Sequence, residues 1–224
     1  MRIPIQEQKN ITAACEKRVQ KALAKDATGH DWHHIERVRR LAAHIAKAEG
    51  VDMFLVDLLA LLHESADYKL IGKKTEGQAL LETRNFLTKI GLEDTQAEEV
   101  IYVIGSQSFS KSGISGQKLD SLAGQCLQDA DRLEAIGAIG IARCFMHAGV
   151  KGAPIHDPAI PPKTTLNSAE YKQHKNTAIN HFYEKLLKLK DLMNTKEGKK
   201  LAGHRHKFME EFLSEFLQEW SCEI

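Results

Sequence analysis

Apolar residues recur along this chain at intervals of three and four, the spacing that lays a stripe along one face of an α-helix. The first such run spans about residues 7–23. A second runs from near His34 to Glu49, with Ile35, Val38, Leu41, Ala42 and Ile45 on one stripe and Gly50 as a stop. Asp52 is a good N-cap for a third helix over 53–64, which is apolar nearly all round and therefore predicted to be buried. Thr75 with Gln78 three residues on spells a capping box, opening a fourth helix that reaches about Ile90. A fifth is expected over 94–105.

Residues 106–118, rich in Ser and Gly, read as a loop. Helix returns from Leu119 and continues to Phe145, with a break expected near Asp131. Of five prolines, four fall in 154–162, so 150–167 reads as a long loop or lid framed by Lys151 and Lys163. Two last helices are expected over 168–193 and 197–220. No run of alternating β-branched residues is present, and the pattern predicts an all-α fold. Gly137 and Gly140 lack the preceding strand that a dinucleotide-binding turn requires, so they read as small residues that let a central helix pack closely.

Composition narrows the class. The 224 residues are 42% hydrophobic and 27% charged, with a net charge of +1, ordinary for a globular chain and without the footprint of a bulk nucleic-acid or acidic-membrane binder. Apolar stretches such as 55–62 fall far below the ~18 residues of a membrane span. Residues 1–10 lack the apolar centre of a signal peptide. Cys15, Cys126, Cys144 and Cys222 are scattered without a C-x-x-C pair. They read as reduced thiols, and the expected compartment is the cytoplasm.

The candidate chemistry lies where the third helix ends. His63, Glu64, Asp67 and Lys69 place an imidazole, two carboxylates and an ammonium directly after an apolar run. Imidazole and carboxylate together make a site for a divalent metal, and the lysine suits an anionic ligand, phosphate above all. Adjacent residues diverge by about 100° on a regular helix, so His63 and Glu64 reach one ion only near a helix end. Further ligands must come from other helices, and His34 and Asp131 are the candidates. Taken singly, each has a plain alternative: His63 as a satisfied core histidine, Asp131 as a partner of Arg132 or Arg37. Mixed N/O ligation suits Mn²⁺, Fe²⁺, Co²⁺, Ni²⁺ or Zn²⁺ better than Mg²⁺ or Ca²⁺, with Mg²⁺ still open. Asp67 lies three residues beyond Glu64, on the same helical face, where it could orient or deprotonate a water. Lys69 could neutralise charge on phosphoryl oxygens. His30 and His33 are turn histidines, His44 reads as structural, and His204 and His206 have no carboxylate partner at a suitable spacing.

His34 within His34-Ile35-Glu36-Arg37-Val38, the His63-Glu64 doublet and the distant Asp131 resemble the HD-domain phosphohydrolase superfamily. Longer segments, residues 30–38, 129–143 and 182–190, are similar to a small bacterial group of nucleotide pyrophosphohydrolase-like HD proteins. The resemblance implies one HD-domain helical bundle over 1–224, with a metal-binding core at about 26–145 and additional C-terminal helices at about 168–224. It implies His34, His63, Glu64 and Asp131 as ligands of a divalent metal, Mn²⁺ favoured. It also implies hydrolysis of (deoxy)nucleoside triphosphates to monophosphate and pyrophosphate. One departure matters: the family's doublet is His-Asp, and Glu64 adds a methylene.

Three rivals stand beside this reading. Glu64 could spoil turnover and leave a nucleotide-binding or sensor protein. His63-Glu64-Ser65-Ala66-Asp67 comes within one residue of the zinc-peptidase helix H-E-x-x-H, but that leaves His34 and Asp131 without a role. The third is a plain helical interaction protein: the last helix, with Phe208, Phe212, Leu213, Phe216, Leu217 and Trp220, carries an apolar stripe that packs on its own domain or forms a homodimer contact.

Overall fold

In a computed structural model, residues 3–24, 31–66, 74–106, 118–163 and 176–222 are described, and they are helical without a strand. The order is α1 (Ile5–Leu23), α2 (Trp32–Glu49), α3 (Met53–Leu62), a 3₁₀ turn (His63–Ala66), α4 (Glu76–Lys89), α5 (Asp94–Ser106), α6 (Leu122–Glu134), α7 (Gly137–Lys151), α8 (Ala178–Glu184), a 3₁₀ stretch (Leu186–Leu192) and α9 (Lys196–Ser221). The chain divides into two compact units, Met1–Gln128 and Asp129–Ile224, and the division falls inside α6.

In the first unit, local chemistry sets the helix ends, at Asp52 and Thr75 as the sequence predicts. Asp31 caps α2 by accepting from the His34 N–H at 2.9 Å. Asp52 accepts from the N–H groups of Phe54 and Leu55. Thr75 and Gln78 form the reciprocal capping box of α4. Val56 and every residue from Leu58 to Leu62 are buried, so α3 is the core helix of its unit. Helices α1, α2 and α5 pack against it, and Ile11 and Cys15 of α1, Ile35, Val38 and Ile45 of α2 and Val100 of α5 are buried in the same unit.

One polar anchor joins three of these helices. Arg39 of α2 donates to both oxygens of Asp57 on α3, at 2.7 and 2.9 Å, and to Glu16 of α1 at 2.7 Å. Burial works against the Arg39 charge, and the two carboxylates outweigh it, so its pKa stands above the usual guanidinium value.

In the second unit, the break expected near Asp131 lies further on, between Glu134 and Gly137. Gly137 takes φ 75°, and a Cβ on Gly140 would stand 2.3 Å from the Ala135 carbonyl. These glycines therefore make a tight corner, beyond the close packing expected of them. α7 extends to Lys151, so Val150 and Lys151 are helical rather than part of the proline-rich loop. The single helix expected over 168–193 is not formed. Lys185 leaves helical geometry at φ −136°, and the following residues wind as 3₁₀. A 3₁₀ helix stacks residues three apart, and the buried Leu186 and Leu189 have that spacing. Residues 164–175 and 107–117, where parts of the lid and of the Ser/Gly loop were expected, lie outside the described residues. Phe145, Phe182, Phe212 and Phe216 stack against one another, so the α9 stripe packs at least partly within its own unit.

None of the four cysteines forms a disulfide. Burial pushes the thiols of Cys15 and Cys144 up to about 12. No single described helix is long and apolar enough to cross a membrane.

Two outcomes follow. Arg39→Met should lower stability by about 1–3 kcal/mol, since it strips charged hydrogen bonds from Asp57 and Glu16; urea unfolding checks this. His181 of α8 is held down to about 3, by desolvation first and then by Lys185 and His147. Below its unfolded value of 6.5 the unfolded chain binds the proton and the folded chain does not. This group therefore subtracts stability progressively as pH falls from about 6.5 towards 3. His181→Gln should flatten the acid limb of a stability-against-pH curve in that window.

Candidate metal centre

The last turn of α3 tightens into 3₁₀ geometry at the His63-Glu64 doublet. Carbonyls at a helix C-terminus lack intrahelical partners, and side chains take them here. Ser65 Oγ donates to the Leu62 carbonyl, and His63 Nδ1 lies 2.7 Å from the Ala60 carbonyl. A carbonyl only accepts, so Nδ1 carries the proton, and in the neutral ring Nε2 presents a lone pair.

That Nε2 faces the Nε2 of His34 at 3.4 Å, with the ring planes at 67°. His34 is the third residue of α2, held there by the Asp31 cap, and it is wholly buried. Oε1 of Glu64 lies 3.6 Å from Nε2 of each histidine. Glu64 is itself buried, and the His63 side chain is 3% exposed.

Donors at ~2.1 Å from a common ion stand at most ~4.2 Å apart, and the two Nε2 atoms and Glu64 Oε1, 3.4–3.6 Å from one another, meet that limit. Two imidazoles and the Glu64 carboxylate match the chemistry of a divalent cation site with mixed N/O donors. Asp131, the fourth expected ligand, lies on the part of α6 that belongs to the second unit.

Asp67 and Lys69, expected at the same site, and His30 lie outside the described residues. His33 is exposed and pairs with Glu36 at 3.2 Å, a surface contact. His44 is exposed. His206 does have a carboxylate partner, Glu210 one turn on at 3.2 Å, which the spacing argument overlooked. Arg132 sits with Asp129 at 3.8 Å and donates to the Leu192 carbonyl. Burial lowers its pKa, with Asp129 and Asp131 opposing. Glu64 also lines a cavity of about 150 Å³ with Arg18, Lys74, Leu61, Leu62 and Ala79. That is smaller than the ~300 Å³ at which pockets for whole small ligands begin, so it suits only part of one.

The HD domain family matches residues 31–136. YpgQ of Bacillus subtilis is 40% identical over 195 residues, covering 87% of this chain and 86% of YpgQ. A solved protein of Lactobacillus plantarum is 39% identical with a TM-score of 0.82, covering 99% of this chain and 100% of that one. An HD-superfamily hydrolase of Bacillus thuringiensis is 38% identical with a TM-score of 0.75, covering 96% and 98%. A crystal structure of YpgQ in complex with ADP has 35% identity and a TM-score of 0.74, covering 95% and 96%. The chain belongs to the HD-domain family. Its fold is that of HD-superfamily hydrolases, and this likeness supports a metal-dependent phosphohydrolase.

Removing either imidazole should abolish the site's hold on a cation. His34→Ala or His63→Ala should weaken Mn²⁺ binding by at least about 100-fold, the upper end of what loss of a mere supporting contact costs. Titration calorimetry on variants with unchanged far-UV circular dichroism tests this.

Proposed function

We propose that this protein hydrolyses (deoxy)nucleoside triphosphates to monophosphate and pyrophosphate, with His34, His63, Glu64 and Asp131 holding a divalent cation. The observation that carries the reading is the meeting of two imidazole Nε2 atoms at 3.4 Å with the Glu64 carboxylate 3.6 Å from each; Asp131 joins the set on the family resemblance. The ADP bound to YpgQ supports a nucleotide as the ligand. Mn²⁺ is the favoured ion, on the family resemblance.

Once bound, such an ion supplies Lewis acidity at a phosphate oxygen and lowers the pKa of a coordinated water. The remaining work falls to the chain. Water adds to the α-phosphorus, and the α–β bridging oxygen leaves with pyrophosphate. Asp67, three residues beyond Glu64, takes the proton from the water. The Lys69 ammonium neutralises the charge growing on the phosphoryl oxygens. The cavity beside Glu64, with Arg18 and Lys74 on its wall, receives a portion of the substrate remote from the cleaved bond.

Glu64 supports a second reading, a nucleotide-binding or sensor protein with weak turnover, because its extra methylene shifts the carboxylate from the family's reach. One assay separates the two. Purified wild type and Glu64→Asp are loaded with Mn²⁺ and screened against nucleoside and deoxynucleoside triphosphates for pyrophosphate release. Release by wild type at a rate comparable to Glu64→Asp is expected and eliminates the sensor. If both forms bind a nucleotide and neither cleaves any, the enzyme reading is lost. Asp67→Asn in the same assay should reduce the rate by about 10²–10⁴-fold.

A further inference from the structure

Asp129 is wholly buried on α6, two residues before Asp131. Two residues turn an α-helix by about 200°, so the two carboxylates leave α6 in nearly opposite directions. Asp131 is the proposed cation ligand, and Asp129 goes to the start of α9.

The Asp129 contacts are dense. Oδ1 accepts from Asn194 N at 2.8 Å and from Asn194 Nδ2 at 3.0 Å. Oδ2 accepts from Thr195 N at 2.8 Å and from the Thr195 hydroxyl at 2.7 Å, with Asn194 N also at 3.1 Å. Thr195 is the N-cap of α9, and its Oγ1 accepts from Gly198 N at 3.0 Å. The hydroxyl thus receives one bond from α9 and passes its own proton towards Asp129. A Cβ on Gly198 would stand 2.3 Å from Asp129 Oδ2, so only glycine lets the carboxylate come this close. The helix macrodipole favours a negative charge at that end of α9.

A buried, charged network of this kind is a poor source of net stability, because desolvation consumes most of the attraction. What it does fix is direction. A carboxylate stands ~5–6 Å from its helix axis, so a 10° rotation of α6 moves Asp131 by about 1 Å. Metal–ligand distances tolerate about 0.2 Å. The geometry points to Asp129 as the positioning residue for Asp131: by clasping Asn194 and Thr195 it sets the rotation of α6 about its own axis. This inference rests on the reading of His34, His63 and Asp131 as a cation site.

The test uses the full chain and Mn²⁺ alone, followed by titration calorimetry, with thermal unfolding of the metal-free protein measured in parallel. Asp129→Asn, Gly198→Ala and Thr195→Val attack the clasp from three sides and should each weaken Mn²⁺ binding by about 10–100-fold. Thr195→Ser keeps the hydroxyl and should bind as wild type does. Arg39→Met, which lowers stability away from the clasp, should leave Mn²⁺ affinity within about twofold, so lost stability alone does not mimic the effect. Should Asp129→Asn fail to fold, Gly198→Ala and Thr195→Val carry the comparison. Variants that melt earlier yet bind Mn²⁺ as wild type does overturn the positioning role and leave the site standing. A wild type that takes up no Mn²⁺ overturns the site and this inference together.

Discussion

The bond between His63 Nδ1 and the Ala60 carbonyl fixes which nitrogen of that ring is protonated, and with it the character of the whole site. Freed of the proton, Nε2 points its lone pair at His34 Nε2, 3.4 Å away in a buried setting. Two imidazole nitrogens meeting in this way, with the Glu64 carboxylate 3.6 Å from each, form a donor set that suits a cation. The helix end makes this possible: as α3 passes into 3₁₀ geometry, its last carbonyls become available to the side chains of His63 and Ser65.

Much of this could be read from residues alone. Asp52 and Thr75 announce helix starts through their own side-chain chemistry, and each caps the helix expected. The all-round apolar character of 53–62 gives a buried helix, and the divergence of adjacent side chains on an α-helix predicts that the doublet must sit where that helix stops. Asp67 and Lys69 stay on the sequence argument alone. The corner at Gly137 escaped prediction because two glycines in an apolar run look like packing, and only the backbone reveals a positive φ and the contact with Ala135. The 3₁₀ stretch escaped for a different reason: Leu186, Leu189 and Leu192 recur every three residues, a period close enough to 3.6 to pass as α-helix over a short run. The Asp129 clasp and the Arg39 ion pairs join residues far apart in sequence, and local spacing carries no trace of such pairings.

Glu64 brings these strands together. An aspartate in the family's doublet reaches a metal with one methylene, and a glutamate needs its backbone set further back or its side chain folded. Its Oε1 stands equally far, 3.6 Å, from both histidine nitrogens. The longer side chain therefore still arrives beside the group, and the tightened turn is the part of the backbone able to absorb the difference. This is a structural argument for tolerance at Glu64, independent of any measure of turnover.

A cation site assembled from separate helices must be organised before the ion arrives, since lone pairs and carboxylates brought together repel until the charge is met. The anchors that would oppose this repulsion lie close to each proposed donor. His34 is three residues from the Asp31 cap, His63 is bonded to the carbonyl of Ala60, and Asp131 is two residues from the clasp on Asn194 and Thr195. Each anchor is a hydrogen bond between a side chain and backbone groups, short in reach and fixed in direction, and the apolar packing of α3 could not supply that directionality. Burial decides that the helices associate; the polar anchors decide which way each donor faces. The second task tolerates errors of a few tenths of an ångström, and this places buried charge beside the site despite its desolvation penalty.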